Sequence, residues 1–132
     1  MAGILTFRSA KFPSVGTEEE GVNVEAGIFG KRLADYLALH LPSKGFPVRC
    51  ATAEDWGWMV EIEHDEPFAL AVCCGHVSDG ASDAFHCFLH PDKPKVRRWL
   101  KSYDTTAKTA ALAQGLEDIL RADADIRELT WA

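Results

Sequence analysis

If this chain carries out chemistry, the residue types for it gather where thiols and imidazoles cluster. Cys73, Cys74, His76, His86, Cys87 and His90 fall in two short runs, Cys-Cys-Gly-His and His-Cys-Phe-Leu-His. Thiolates and imidazoles are the ligands that zinc selects, but neither run has the spacing of a finger or a ribbon. Neighbouring residues on a strand point to opposite faces, so Cys73 and Cys74 cannot serve one ion. A closed structural site needs a fourth ligand that no single face supplies, and neither a metal nor any other cofactor is expected. The ordinary role of such thiols is as small apolar core residues.

Nucleophilic catalysis is a separate alternative. Cys73, with His86 and His90 diagonal to it and Glu61 placed to orient His90, has the composition of a Cys–His–carboxylate set. A reactive cysteine also needs exposure and a lowered pKa. The surrounding sequence offers no oxyanion hole and no helix N-terminus beside the thiol. A small thiol- or metal-dependent enzyme built on Cys73, His86, His90 and Glu61 is therefore the second reading; the first is a protein that is not an enzyme.

Two further groups invite chemistry. Glu54-Asp-Trp-Gly-Trp58 sets two tryptophans about a glycine, either as a ligand wall or as an anchor at a strand entry. Parity puts both indoles inward, where aromatics fill cores, and Gly57 suits a bulge. Lys93, Lys95, Arg97, Arg98 and Lys101 gather five of the 14 basic residues in one segment, with Trp99 and Tyr103 interleaved. That is a phosphate-and-stacking composition. The chain nevertheless has a net charge of −6, and Trp99 fits the inward side of a short helix, so no nucleic-acid partner is expected.

These residues are positioned by a run of strands over residues 45–91. In Trp58-Met-Val-Glu-Ile-Glu-His64 apolar residues alternate with polar or flexible ones, the period of a half-buried strand. Phe68, Leu70, Val72 and Cys74 share one face of the next strand, and Phe85, Cys87 and Leu89 one face of the last. Turn chemistry separates them at Asp65-Glu-Pro67 and over 78–83. The expected register aligns Val48, Val60, Val72 and Leu89. Beside that row come Cys50, Trp58, Cys74 and Cys87, then Phe46, Ile62 and Leu70. The other face would carry Arg49, Met59, Cys73 and Phe88, then Glu61, Ala71 and His90, then Ala51, Gly57, Gly75 and His86.

Around the meander, Asn23 caps a helix expected over 25–41, with Phe29, Leu33, Leu37 and Leu41 as its stripe and Pro42 and Gly45 as its stop. A short amphipathic helix is expected over 94–102, with Val96, Trp99 and Leu100 inward. A longer one follows over 106–122, capped by Asp104 or Thr105 and carrying Leu112, Leu116, Ile119 and Leu120. Residues 4–9 suit a short edge strand and 126–131 a final one. The first 22 residues, rich in glutamate and glycine, read as a mobile segment. The fold class is α+β: a two-layer sandwich in which an antiparallel meander of about four to five strands is covered on one face by an N-terminal helix and C-terminal helices.

At 132 residues the chain suits one domain, residues 1–132, long enough to bury a real core. No apolar run is long enough for a membrane span and the start lacks the pattern of a signal peptide, so a cytoplasmic address and no membrane partner are expected. The order of elements in a small acidic chain is similar to that of secretion chaperones, frataxin-like domains and several bacterial immunity proteins. The resemblance is one of architecture and charge and carries no functional residues with it. The outer sheet face, shallow at Ala71 and Gly75 but apolar at Met59, Cys73 and Phe88, predicts a binding module. Arg49, Met59, Cys73, Phe88, His86 and His90 are its candidate contact residues, and a protein partner or a second copy of the chain is the expected occupant.

Overall fold

A computed structural model describes residues 3–12, 30–54, 57–76 and 83–132. The expected cap at Asn23, the helix residues 25–29, Asp55, Trp56, Val77 and most of the 78–83 turn lie outside the described residues, as does 13–22 of the N-terminal segment.

The architecture is mixed α and β: two α-helices, a six-stranded antiparallel sheet and a separate two-stranded sheet among the described residues. In chain order the elements are β1 (Leu5–Arg8), α1 (Lys31–His40), β2 (Val48–Glu54), β3 (Gly57–Ile62), β4 (Leu70–His76), β5 (Ala84–His90), β6 (Lys95–Arg98), β7 (Lys101–Asp104), α2 (Thr106–Arg121) and β8 (Arg127–Trp131). The large sheet runs β2-β3-β4-β5-β1-β8. Its strand count therefore exceeds the expected four to five, because β1 and β8 extend it beyond β5.

The meander pairs largely as parity requires. Val60 faces Val72 and Val72 faces Leu89; Trp58 faces Cys74 and Cys74 faces Cys87. One buried cluster takes Val60, Ile62, Leu70, Val72, Cys74, Phe85, Cys87 and Leu89 from these strands and Leu5 and Phe7 from β1. Leu33, Ala34 and Leu37 of α1 and Leu112, Leu116, Ile119 and Leu120 of α2 join it, with Phe12, Leu41 and Phe68 from the connections. Each large aliphatic side chain so buried contributes about 1.5–3 kcal/mol.

Both helices follow their apolar spacing. In α1, Leu33 and Leu37 lie one turn apart, and the helix tightens into a 3-10 turn (Leu41–Lys44) at Pro42 before Gly45, at φ 91°, reverses the chain. The first turn of α2 is capped by Asp104, whose Oδ1 accepts the Thr106 N–H at 2.8 Å.

Three expectations need correction. The segment 94–102 is no helix: β6 and β7 form a hairpin in which Val96 faces Tyr103 and Arg98 faces Lys101. Val96 and Tyr103 are the pair packed on the core, so Trp99 and Leu100 fall at the tip, 92% and 78% exposed. Only α2 then follows the meander. Strand β1 is no edge either, since it pairs with β5 on one side and β8 on the other. In β2 a bulge between Val48 and Cys50 shifts the register, setting Ala51 opposite Val60, Cys50 opposite Glu61 and Thr52 opposite Met59. Cys50 thus leaves the core row, and Arg49 and Ala51 leave the outer rows where they were expected.

Candidate functional site

The outer face of the sheet is built by the alternate residues of β3, β4 and β5. Met59, Cys73 and Phe88 are matched directly across it, as are Glu61, Ala71 and His90; Gly75 faces His86. Ala71 and Cys73 are 0% and 1% exposed, yet neither belongs to the core cluster. They form a floor of small residues between the longer side chains of the flanking strands. Met59, His86 and Phe88 are half-buried and His90 is exposed. The His86 and Phe88 rings stack along β5 with centroids 6.1 Å apart.

Arg49 reaches this face from the bulge in β2. Its Nε and Nη2 donate to Glu63 at 2.9 and 3.1 Å, and Nη1 donates to Glu61 at 3.3 Å. The hydrogen bond from Arg49 and its charge hold the Glu63 carboxyl below its ordinary range. Cys50, exposed beside them, points its Sγ to Glu61 at 3.8 Å. Arg49, Glu61, His64, Pro67, Phe68 and Arg98 border a cleft of about 290 Å³ at this end of the face.

The electrostatics do not favour a nucleophile. Burial, reinforced by the charge of Glu54, pushes the Cys73 thiol up to about 12, so it is protonated near neutrality. Burial also lowers the pKa of His86, with the neighbouring charge of His76 adding to the effect. Cys74 and Cys87, face to face in the core, are raised by desolvation as well. Among the described residues no hydrogen bond joins Cys73 to His86 or His90. Glu61 and His90 share a row with Ala71 between them, two strand spacings or about 9–10 Å apart at the backbone. The Glu61 carboxylate is instead engaged by Arg49 and Cys50. Among the described residues no three His, Cys, Asp or Glu side chains converge as metal ligands.

Trp58, read as an inward anchor, is half-buried against the core, with the Lys31 ammonium 5.9 Å from its ring centroid. A feature the sequence did not single out is the groove of about 430 Å³ between α2 and the last strand. There Trp131 Nε1 donates to Glu117 at 2.7 Å, and Arg121 donates to the same carboxylate at 3.0 Å. The i,i+4 spacing of Glu117 and Arg121 was readable; their meeting with Trp131 required the sheet order. The charged patch at the tip of β6–β7 was readable as composition, and its exposure was not.

Comparison with protein-family models, with curated proteins and with solved structures returned no match. No described helix is long and apolar enough to cross a membrane.

Proposed function

We propose that this protein is a non-enzymatic interaction module that docks another protein chain, in the first instance a second copy of itself, on the outer face of β3–β5. In this reading the helices and the sheet form two layers, leaving the outer face as the docking side. The observation that carries it is the split in parity: Cys73, between Met59 and Phe88, and Ala71, between Glu61 and His90, are buried outside the core cluster. A shallow apolar strip of that kind suits a flat partner surface better than a small substrate. Arg49, Glu61 and Glu63 supply both signs of charge at its rim, which a two-fold pairing can match with itself. The thiol-enzyme alternative on Cys73, His86, His90 and Glu61 draws no support from a buried, protonated Cys73.

Sedimentation velocity across a concentration series tests this. A dimer that Phe88→Asp converts to monomer, with the thermal midpoint little changed, is the expected result. A chain that stays monomeric at every concentration, and binds no partner in a way that Phe88→Asp or Met59→Asp alters, would overturn it.

A further inference from the structure

The hairpin of β6 and β7 is anchored at its base and bare at its end. Val96 and Tyr103 pack on the core, while Trp99 and Leu100 stand 92% and 78% exposed in the connection between the strands. Trp99 also holds φ at 59°, a backbone region that an aromatic residue rarely takes and glycine takes freely. The tip thus presents two adjacent apolar side chains to solvent at a cost in backbone strain.

Behind the tip the charge is one-sided. Arg98 and Lys101 are paired across the hairpin directly below it, with Arg97 facing Ser102 one step further down. The only carboxylates of residues 92–104 are at the two ends of the segment, and Asp104 is spent on capping α2. Elsewhere cations are generally matched within the fold: Arg8 and Arg127 on Asp83, Lys11 on Asp123, Arg49 on Glu63, Lys108 on Asp65, Arg121 on Glu117. Among the described residues Arg97, Arg98 and Lys101 enter no ion pair. Unmatched cations in a chain of net charge −6 are available to an anionic surface outside the fold.

We propose that this hairpin is a peripheral docking arm for an anionic lipid bilayer, with Trp99 and Leu100 entering the headgroup region while Arg97, Arg98 and Lys101 meet the phosphates. Three features favour a bilayer over other polyanions. Apolar tip and cations are layered in that order along one axis, as the interface of a membrane is. A tip-first approach keeps the acidic body of the chain away from the anionic surface. A nucleic acid would be gripped by successive aromatics, whereas Leu100 has no ring to stack on a base. The contact is superficial, so it needs no membrane-spanning helix.

The test is co-sedimentation of the full chain with phosphatidylcholine vesicles, with and without phosphatidylglycerol, over a salt series. Binding is expected only with phosphatidylglycerol, weakening as salt rises. Arg97→Gln with Arg98→Gln should weaken it about twenty-five-fold, about fivefold per cation. Trp99→Ser should weaken it by about tenfold and abolish quenching of tryptophan emission by brominated lipid. Trp99→Gly relieves the backbone strain; it should melt no lower than the parent yet bind as poorly as Trp99→Ser, which separates lost docking from lost folding. No binding at low salt, equal binding to neutral vesicles, or binding indifferent to Trp99 would each overturn the proposal. So would Trp99-dependent binding to a labelled single-stranded oligonucleotide or to polyglutamate with none to vesicles, which would assign the arm to another polyanion.

Discussion

The Tyr36 hydroxyl donates a 2.7 Å hydrogen bond to Asp123, clasping α1 to the turn that follows α2. The same carboxylate takes the Lys11 ammonium at 2.9 Å and the Asp125 backbone N–H at 2.9 Å. Lys11 first, and Tyr36 after it, hold the Asp123 carboxyl down at about 2. A carboxyl depressed in the fold adds stability above its ordinary pKa of 3.8 and loses it as pH falls through the folded value. Urea midpoints should therefore decline between pH 3.8 and about 2 more steeply in the parent than in Asp123→Asn. The difference should be at most about 1 kcal/mol, because Lys11 reaches Asp123 from the solvent side and that pairing is screened. Parallel slopes would remove this clasp from the acid response.

Gly57 opens β3 with φ at 153°, and a Cβ there would stand 2.4 Å from the Cys74 carbonyl oxygen on the next strand. The clash is with backbone, which cannot turn aside as a flexible side chain can. Gly57→Ala should cost about 2 kcal/mol or more by chemical denaturation. A neutral result would mean that β3 and β4 do not approach this closely.

Of the four cysteines, Cys50 is exposed and Cys73, Cys74 and Cys87 are buried. Titration of the native protein with an aromatic disulfide should show one rapid thiol per chain, and the remaining three after unfolding. Cys50→Ser should abolish the rapid phase. A rapid Cys73 would revive the thiol-enzyme alternative and dispute the depth of the outer-face floor.

Leu89 and His90 are neighbours on β5 with opposite fates, one 4% exposed in the core and the other on the surface. Leu89→Ala should destabilise by about 2–4 kcal/mol, and His90→Ala by no more than about 0.5 kcal/mol. Thermal or urea unfolding of the two variants decides between this parity and its reverse.

Strands β3 to β5 were legible because strict alternation leaves one register that keeps Val60, Val72 and Leu89 together. In β2 the same logic fails by one residue. Val48 and Ala51 both pack on the core although three positions apart, which only a bulge permits, and no residue in that stretch announces one. The 94–102 segment misled for a related reason. Val96, Trp99, Leu100 and Tyr103 have the i, i+3, i+4, i+7 spacing of a helical stripe, but the chain turns back at Trp99 and Leu100 and pairs Val96 with Tyr103 across a hairpin. On the outer face, the Met59–Cys73–Phe88 match followed from parity, whereas the reach of Arg49 to Glu63 depended on the bulge. The position of β1 rests on contacts far along the chain, to which local pattern is blind.

Thr6 pairs with His86 on one side and with Thr130 on the other, so β1 waits for a partner made 124 residues after it. The four strands β2 to β5 each pair with their neighbour in the chain, so that part of the sheet can close as each strand leaves the ribosome. The β1–β8 seam must instead join positions 124 residues apart, and such distant closure is slow. A nascent chain paused ahead of Arg127 therefore carries a naked strand edge along β1, the stage at which it is most open to capture by a chaperone or to aggregation.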